Sequence, residues 1–121
     1  MYKVQVMNKI SPLGLRKLDS SRYQLGQDLD RYQGMLIRSA DLHGKQFPNE
    51  LLAIARAGSG TNNIPIDKCN EQGIAVFNTP GANANAVKEL LLADLLLASR
   101  DLLGGIDWVK HQVDEGVDVA S

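Results

Sequence analysis

The sequence has a single cysteine, Cys69, so no disulfide can form within the chain, and a reducing compartment, the cytoplasm, is its expected home. It has no block of basic residues: 13 Lys and Arg stand against 14 Asp and Glu, for a net charge of -1. Nucleic acid and anionic membrane surfaces are therefore not expected partners. No basic, apolar, small-residue segment opens the chain, so a secretory signal is not expected. The longest apolar run, residues 90–98, is interrupted by Asp94 and is too short for a bilayer span. Internal repeats and low-complexity segments are lacking, and no metal site is expected.

What is present is ordinary for a soluble globular domain with a modest core: 121 residues, 44% hydrophobic and 22% charged. Tyr2-Lys3-Val4-Gln5-Val6 alternates in polarity, as a strand wet on one face does. Ser11-Pro12 reads as N-cap and first helical residue, with a short helix expected from Leu13 to Leu18. A weak strand is expected around Tyr23 and Leu25, and a clearer one over Gly34-Met35-Leu36-Ile37-Arg38-Ser39. Gly44 and Pro48 predict a mostly irregular connection after it. Leu51-Leu52-Ala53-Ile54-Ala55 reads as a buried parallel strand. A helix is expected over residues 65–71, capped by Gly73, and then a strand at Ile74-Ala75-Val76-Phe77 that ends in the turn Asn78-Thr79-Pro80-Gly81. Strands alternating with helices predict an α/β fold with a parallel sheet covered on both faces.

The centre of the pattern is Arg56-Ala57-Gly58-Ser59-Gly60-Thr61-Asn62-Asn63, a glycine-bracketed turn between a strand end and a helix start. Gly58 and Gly60 put no Cβ in the way of a ligand, and peptide N–H groups there suit an anion. Arg56 adds a planar donor fork for carboxylate or phosphate. A plain strand-to-helix turn that binds nothing accounts for these residues equally well. Asn63 stands where the third glycine of a dinucleotide fingerprint would be. Ligands of parallel sheets bind beyond the carboxyl ends of the strands. That rule gathers Arg38 and Ser39, the glycine turn, and Asn78-Thr79-Pro80, and it predicts a small anionic ligand.

The last long helix is unusual. Leu90, Leu91, Leu92, Leu95, Leu96 and Leu97 cover most of a helix circumference, and a helix apolar all round needs covering on more than one side. One small sheet covers one side, so a second domain or subunit is expected for the rest. Gly104-Gly105 is expected to interrupt the chain before a further short helix over residues 106–115.

Three stretches together, Arg56 to Ile64, Gly73 to Gly81, and Asn83 to Glu89 followed by leucines, resemble the D-isomer-specific 2-hydroxyacid dehydrogenases, in that family's order and over nearly the whole chain. The resemblance implies a flavodoxin-like substrate domain over residues 1–82. Residues 83–121 would then form a crossing helix and the start of a linker toward a nucleotide domain outside this chain. It implies NAD as cofactor of the parent enzyme and hydride transfer from C2 of a small D-2-hydroxy acid. That acid is a phosphorylated glycerate in one reading and an unphosphorylated acid such as glycerate in another. The implied substrate-binding residues are Arg38, Ser39, Arg56, Gly58, Ser59 and Gly60, and the implied cofactor-side residues are Asn78, Asn83 and Glu89. It also implies a homodimer through the helix between Leu90 and Arg100. The family's NAD turn and its catalytic arginine, glutamate and histidine belong to the later domain, so no catalytic residue is expected here and the chain alone is expected to be inactive. His43 and His111 are read as surface histidines. Departures from the family pattern are Asn62 for a common aspartate, Ala86 for a frequent serine, and a short connection before Leu51. The reading of another class is a flavodoxin-like binding or dimerisation module without chemistry.

Overall fold

A computed structural model describes residues 1–118. The chain divides into two compact units, Met1–Ala82 and Asn83–Ser121.

The first unit runs β1 (Tyr2–Val6), α1 (Pro12–Leu15), β2 (Tyr23–Gly26), β3 (Gly34–Ile37), β4 (Ala53–Arg56), α2 (Ile66–Glu71) and β5 (Ala75–Phe77). All pairings are parallel, and the sheet order is β2-β1-β3-β4-β5. This is the flavodoxin order, as the resemblance implies. The strands are short because each apolar run ends at a glycine, an arginine or an asparagine that turns the chain.

Register decides which side chains enter the core. Met35 stands opposite both Gln5 and Ile54, and Ile54 opposite Val76. Side chains alternate along a strand, so these residues and Ile37 share one face. Onto that face pack Leu42, Phe47 and Leu51 from the connection between β3 and β4, with Ile64, Cys69 and Ile74 from around α2. Ile37, Leu42, Ile54 and Cys69 are completely buried. The connection from β3 to β4 thus does a covering helix's work without being a helix. It is pinned from α2, where Lys68 Nζ donates to Lys45 O (2.8 Å) and lies 5.1 Å from the centre of the Phe47 ring. Gln5 is the buried polar side chain of this face. It is satisfied on both ends, accepting from Leu29 N–H (3.0 Å) and donating to Gln27 O.

α1 is shorter than the sequence suggests. Ser11 makes no side-chain cap bond, and Gly14 lies inside the four-residue helix. Beyond Leu15 the chain continues in turns, Lys17 N–H to Gly14 O and Leu18 N–H to Leu15 O.

The second unit holds α3 (Ala84–Arg100) and α4 (Leu102–Asp114). The expected interruption at Gly104-Gly105 is displaced. The break is Asp101, in the left-handed region at φ 46°, and both glycines lie within α4. Asp101 caps α4 by accepting from Gly104 N–H (3.3 Å). A Cβ on Gly104 would meet the Asp101 carboxylate at 2.5 Å, so that glycine serves the cap.

Candidate functional site

Three segments leave the carboxyl ends of adjacent strands: Arg38-Ser39 after β3, the turn that Arg56 begins after β4, and Asn78-Thr79 after β5. Side chains knit them into one surface. Arg56 Nε donates to Arg38 O (3.0 Å), and Asn63 Nδ2 donates to the same carbonyl (3.3 Å) and to Ala40 O (2.7 Å). Asn78 Nδ2 donates to Ser59 O (2.8 Å). Asn8, at the end of β1, accepts from the amides of Ser39 (3.2 Å) and Ala40 (2.7 Å) through its side-chain oxygen. Asn8 holds a left-handed φ of 67°, a conformation asparagine tolerates.

The glycine turn is thereby tied to its neighbours and partly unpaired. Gly58 N–H donates to Thr79 Oγ1 (2.8 Å) and to Arg56 O (3.0 Å), so this donor is committed inside the fold. Among the described residues, the amides of Ser59 and Gly60 have no hydrogen-bond acceptor. The Arg56 guanidinium lies against the same turn. A Cβ on Gly60 would stand 2.7 Å from its Nη1, so glycine is what lets the two approach. That Nη1 is buried and has no hydrogen-bond partner. A buried charged donor without an acceptor is costly unless an anion meets it. Two open amides, one unpaired guanidinium nitrogen buried beside them and the exposed Arg38 and Ser39 form a surface that fits a small carboxylate or phosphate.

Of the residues the sequence singles out, Arg38, Ser39, Arg56, Gly58, Ser59, Gly60 and Asn78 lie on this one edge of the first unit. Asn83 and Glu89 belong to the second. There Asn83 precedes α3 without a side-chain cap bond, and Glu89 accepts from Asn85 Nδ2 (2.7 Å). His43 is exposed and bonds through Nε2 to Asn62 O (2.9 Å); His111 of α4 lies 3.3 Å from the carboxylate of Glu115, the residue that caps the helix. Asn8 is the structural member of the site that residue-by-residue reading passes over, because its partner Ser39 is 31 positions away; Thr79 is gathered there as part of a turn, and its bond to Gly58, 21 positions away, is what the structure adds. Displaced protonation occurs in the core: burial pushes the Cys69 thiol up, against a smaller opposing effect of Lys68, and burial pushes the Tyr32 hydroxyl up.

The turn does not fit a dinucleotide. Asn63, in the third-glycine position, is buried and ties its amide to Ala40 O, and the helix that follows is only six residues long. Among the described residues, no group of three His, Cys, Asp or Glu forms a metal site, and no helix is long and apolar enough to cross a membrane.

Comparison with known proteins adds the family. Residues 4–108 match the model for the D-isomer specific 2-hydroxyacid dehydrogenase catalytic domain. A D-3-phosphoglycerate dehydrogenase of Archaeoglobus fulgidus is 34% identical over 89 residues, covering 71% of this chain and 17% of that protein. A hydroxypyruvate reductase of Thermotoga maritima is 48% identical over 52 residues, 43% of this chain and 17% of that protein. The chain thus spans about a sixth of the length of these relatives. Among solved structures, the fold matches an NAD+-bound 3-phosphoglycerate dehydrogenase of Entamoeba histolytica with a TM-score of 0.63 and 23% identity, over 79% of this chain and 38% of that one.

Proposed function

We propose a function from one premise: the chain belongs to the D-isomer-specific 2-hydroxyacid dehydrogenases, a family of oxidoreductases. In this reading it is the N-terminal substrate-domain portion of an NAD-dependent D-3-phosphoglycerate dehydrogenase, which turns 3-phosphoglycerate into 3-phosphohydroxypyruvate for serine biosynthesis. The observation that carries it is the unpaired Arg56 Nη1 beside the unpaired amides of Ser59 and Gly60. The amides receive the substrate carboxylate, and Arg38, Ser39 and Arg56 take the remaining negative charge. Asn78, Asn83 and Glu89 belong to the cofactor side, and NAD binds outside the turn described here. The leucines of α3 support a homodimer through residues 90–100, and the fully buried Cys69 suits the cytoplasm.

A second reading has its own support. The hydroxypyruvate reductase match has the higher identity over its shorter span, which favours an unphosphorylated acid such as glycerate.

The test uses the complete native reading frame that contains this chain, assayed for NAD reduction with D-3-phosphoglycerate and with D-glycerate. Arg56→Ala is expected to raise KM for the phosphorylated substrate about tenfold or more, the size of one charge-assisted bond, and to raise it less for glycerate. Equal losses would assign Arg56 to the carboxylate, and no loss would leave it a plain surface charge. No turnover of either acid would overturn both.

A further inference from the structure

The open amides of the turn have a defined direction, and the residues that set it follow a different strand, β5. The Gly58–Ser59 peptide carries its carbonyl on Thr79 N–H (2.9 Å), and the Ser59–Gly60 peptide carries its carbonyl on Asn78 Nδ2 (2.8 Å). A trans peptide is planar, with C=O and N–H pointing opposite ways. Fixing the two carbonyls on Asn78 and Thr79 therefore turns the amides of Ser59 and Gly60 away from those residues, both toward the open side. The Thr79 hydroxyl closes the clasp by using both of its capacities: Oγ1 accepts from Gly58 N–H (2.8 Å) and donates to Arg56 O (3.2 Å). It thereby also fixes the backbone from which the Arg56 side chain projects.

We propose that Asn78 and Thr79 are positioning residues that aim the Ser59 and Gly60 amides at the substrate carboxylate. This rests on the reading of that turn as the carboxylate site. It gives Asn78, placed above on the cofactor side, the further role of holding the turn, and makes the threonine hydroxyl, rather than its shape, the essential feature. Valine has the same shape and neither hydrogen-bonding capacity, whereas serine keeps both.

The experiment uses the 121-residue chain. Calorimetric titration with D-3-phosphoglycerate is run on the parent sequence, Thr79→Val, Thr79→Ser and Asn78→Ala, with amide exchange of Gly58 followed in each. Thr79 is exposed, so Thr79→Val is expected to leave the thermal midpoint nearly unchanged. Its Gly58 amide is expected to exchange about fivefold faster, the loss of one neutral hydrogen bond, while Ile54 in the core is unaffected. Thr79→Val and Asn78→Ala are expected to weaken binding about tenfold. Thr79→Ser restores it. Unchanged binding in Thr79→Val, or a serine variant as weak as the valine one, overturns the proposal. Failure of the parent sequence to bind overturns the carboxylate reading instead, and the Gly58 exchange rates then decide by themselves whether the clasp exists.

Discussion

At the scale of the residue, the site depends on how near Gly60 comes to Arg56. Gly60→Ala is expected to push the guanidinium off the turn, since its Cβ would sit 2.7 Å from Nη1, and so to weaken anion binding with little loss of stability. Binding and a melting curve on one sample separate the two effects. Asn63 behaves differently. Its Nδ2 joins two carbonyls of the β3 connection from a buried position, so Asn63→Ala is expected to destabilise by about 1–3 kcal/mol in denaturant unfolding. Read in sequence, Asn63 is only a missing glycine; its work is visible once Arg38 and Ala40 are folded beside it. Cys69 gives a pH dependence. Burial raises the thiol from its ordinary value of 9.0, and Tyr32 is raised from 10.0 for the same reason. Groups kept neutral this way contribute stability that is intact below those values and is lost as the pH rises through the folded-state values. The melting temperature is expected to fall on the alkaline side, and Cys69→Ala to blunt that fall. A flat profile from neutral pH to well above 10 would contradict it.

At the scale of the element, the strands were legible because short apolar runs stop at glycines and polar turns, but their bounds shift: Leu51 and Leu52 precede β4, which runs on through Arg56, and Arg38 and Ser39 lie beyond the end of β3. Helix ends were less so. α1 stops after four residues because its start is uncapped by a side chain and Gly14 weakens it. The boundary between α3 and α4 was misplaced because two adjacent glycines read as a break. The local geometry instead puts a left-handed aspartate before them and uses Gly104 to admit its carboxylate. Asp101→Ala loses that cap while keeping the left-handed strain, and is expected to lower the helicity of the second unit. The leucines of α3 raise the larger question. Leu90 is 64% exposed, Leu96 64%, and even Leu97 38%. Covering three of the six leucines would contribute about 5–9 kcal/mol, enough to drive self-association. Sedimentation at micromolar concentration is expected to show a dimer, and Leu91→Glu with Leu95→Glu a monomer. A monomeric parent sequence would remove α3 as an interface.

At the scale of the whole molecule, the parallel sheet and its strand order follow from alternating elements and the family pattern, and they put the residues proposed to meet the anion on one edge. Absent from the linear text was the way that edge is assembled. Asn8, Asn63, Asn78 and Thr79 each bridge segments about 20 to 30 positions apart, and local periodicity holds no record of such bonds. The chain spans about a sixth of the phosphoglycerate dehydrogenase and hydroxypyruvate reductase it resembles, and its turn does not fit a dinucleotide, so it is expected to show no NAD-dependent turnover by itself. Binding, in contrast, should survive in the chain as it stands. The most direct test is an amide-resolved NMR titration of the 121-residue chain with D-3-phosphoglycerate. The account predicts saturable shifts at the Ser59 and Gly60 amides and at the Arg56 guanidinium, with Gly58 N–H still bonded to Thr79. Amides of Ser59 and Gly60 that stay fixed while the ligand binds elsewhere, or does not bind at all, would contradict it.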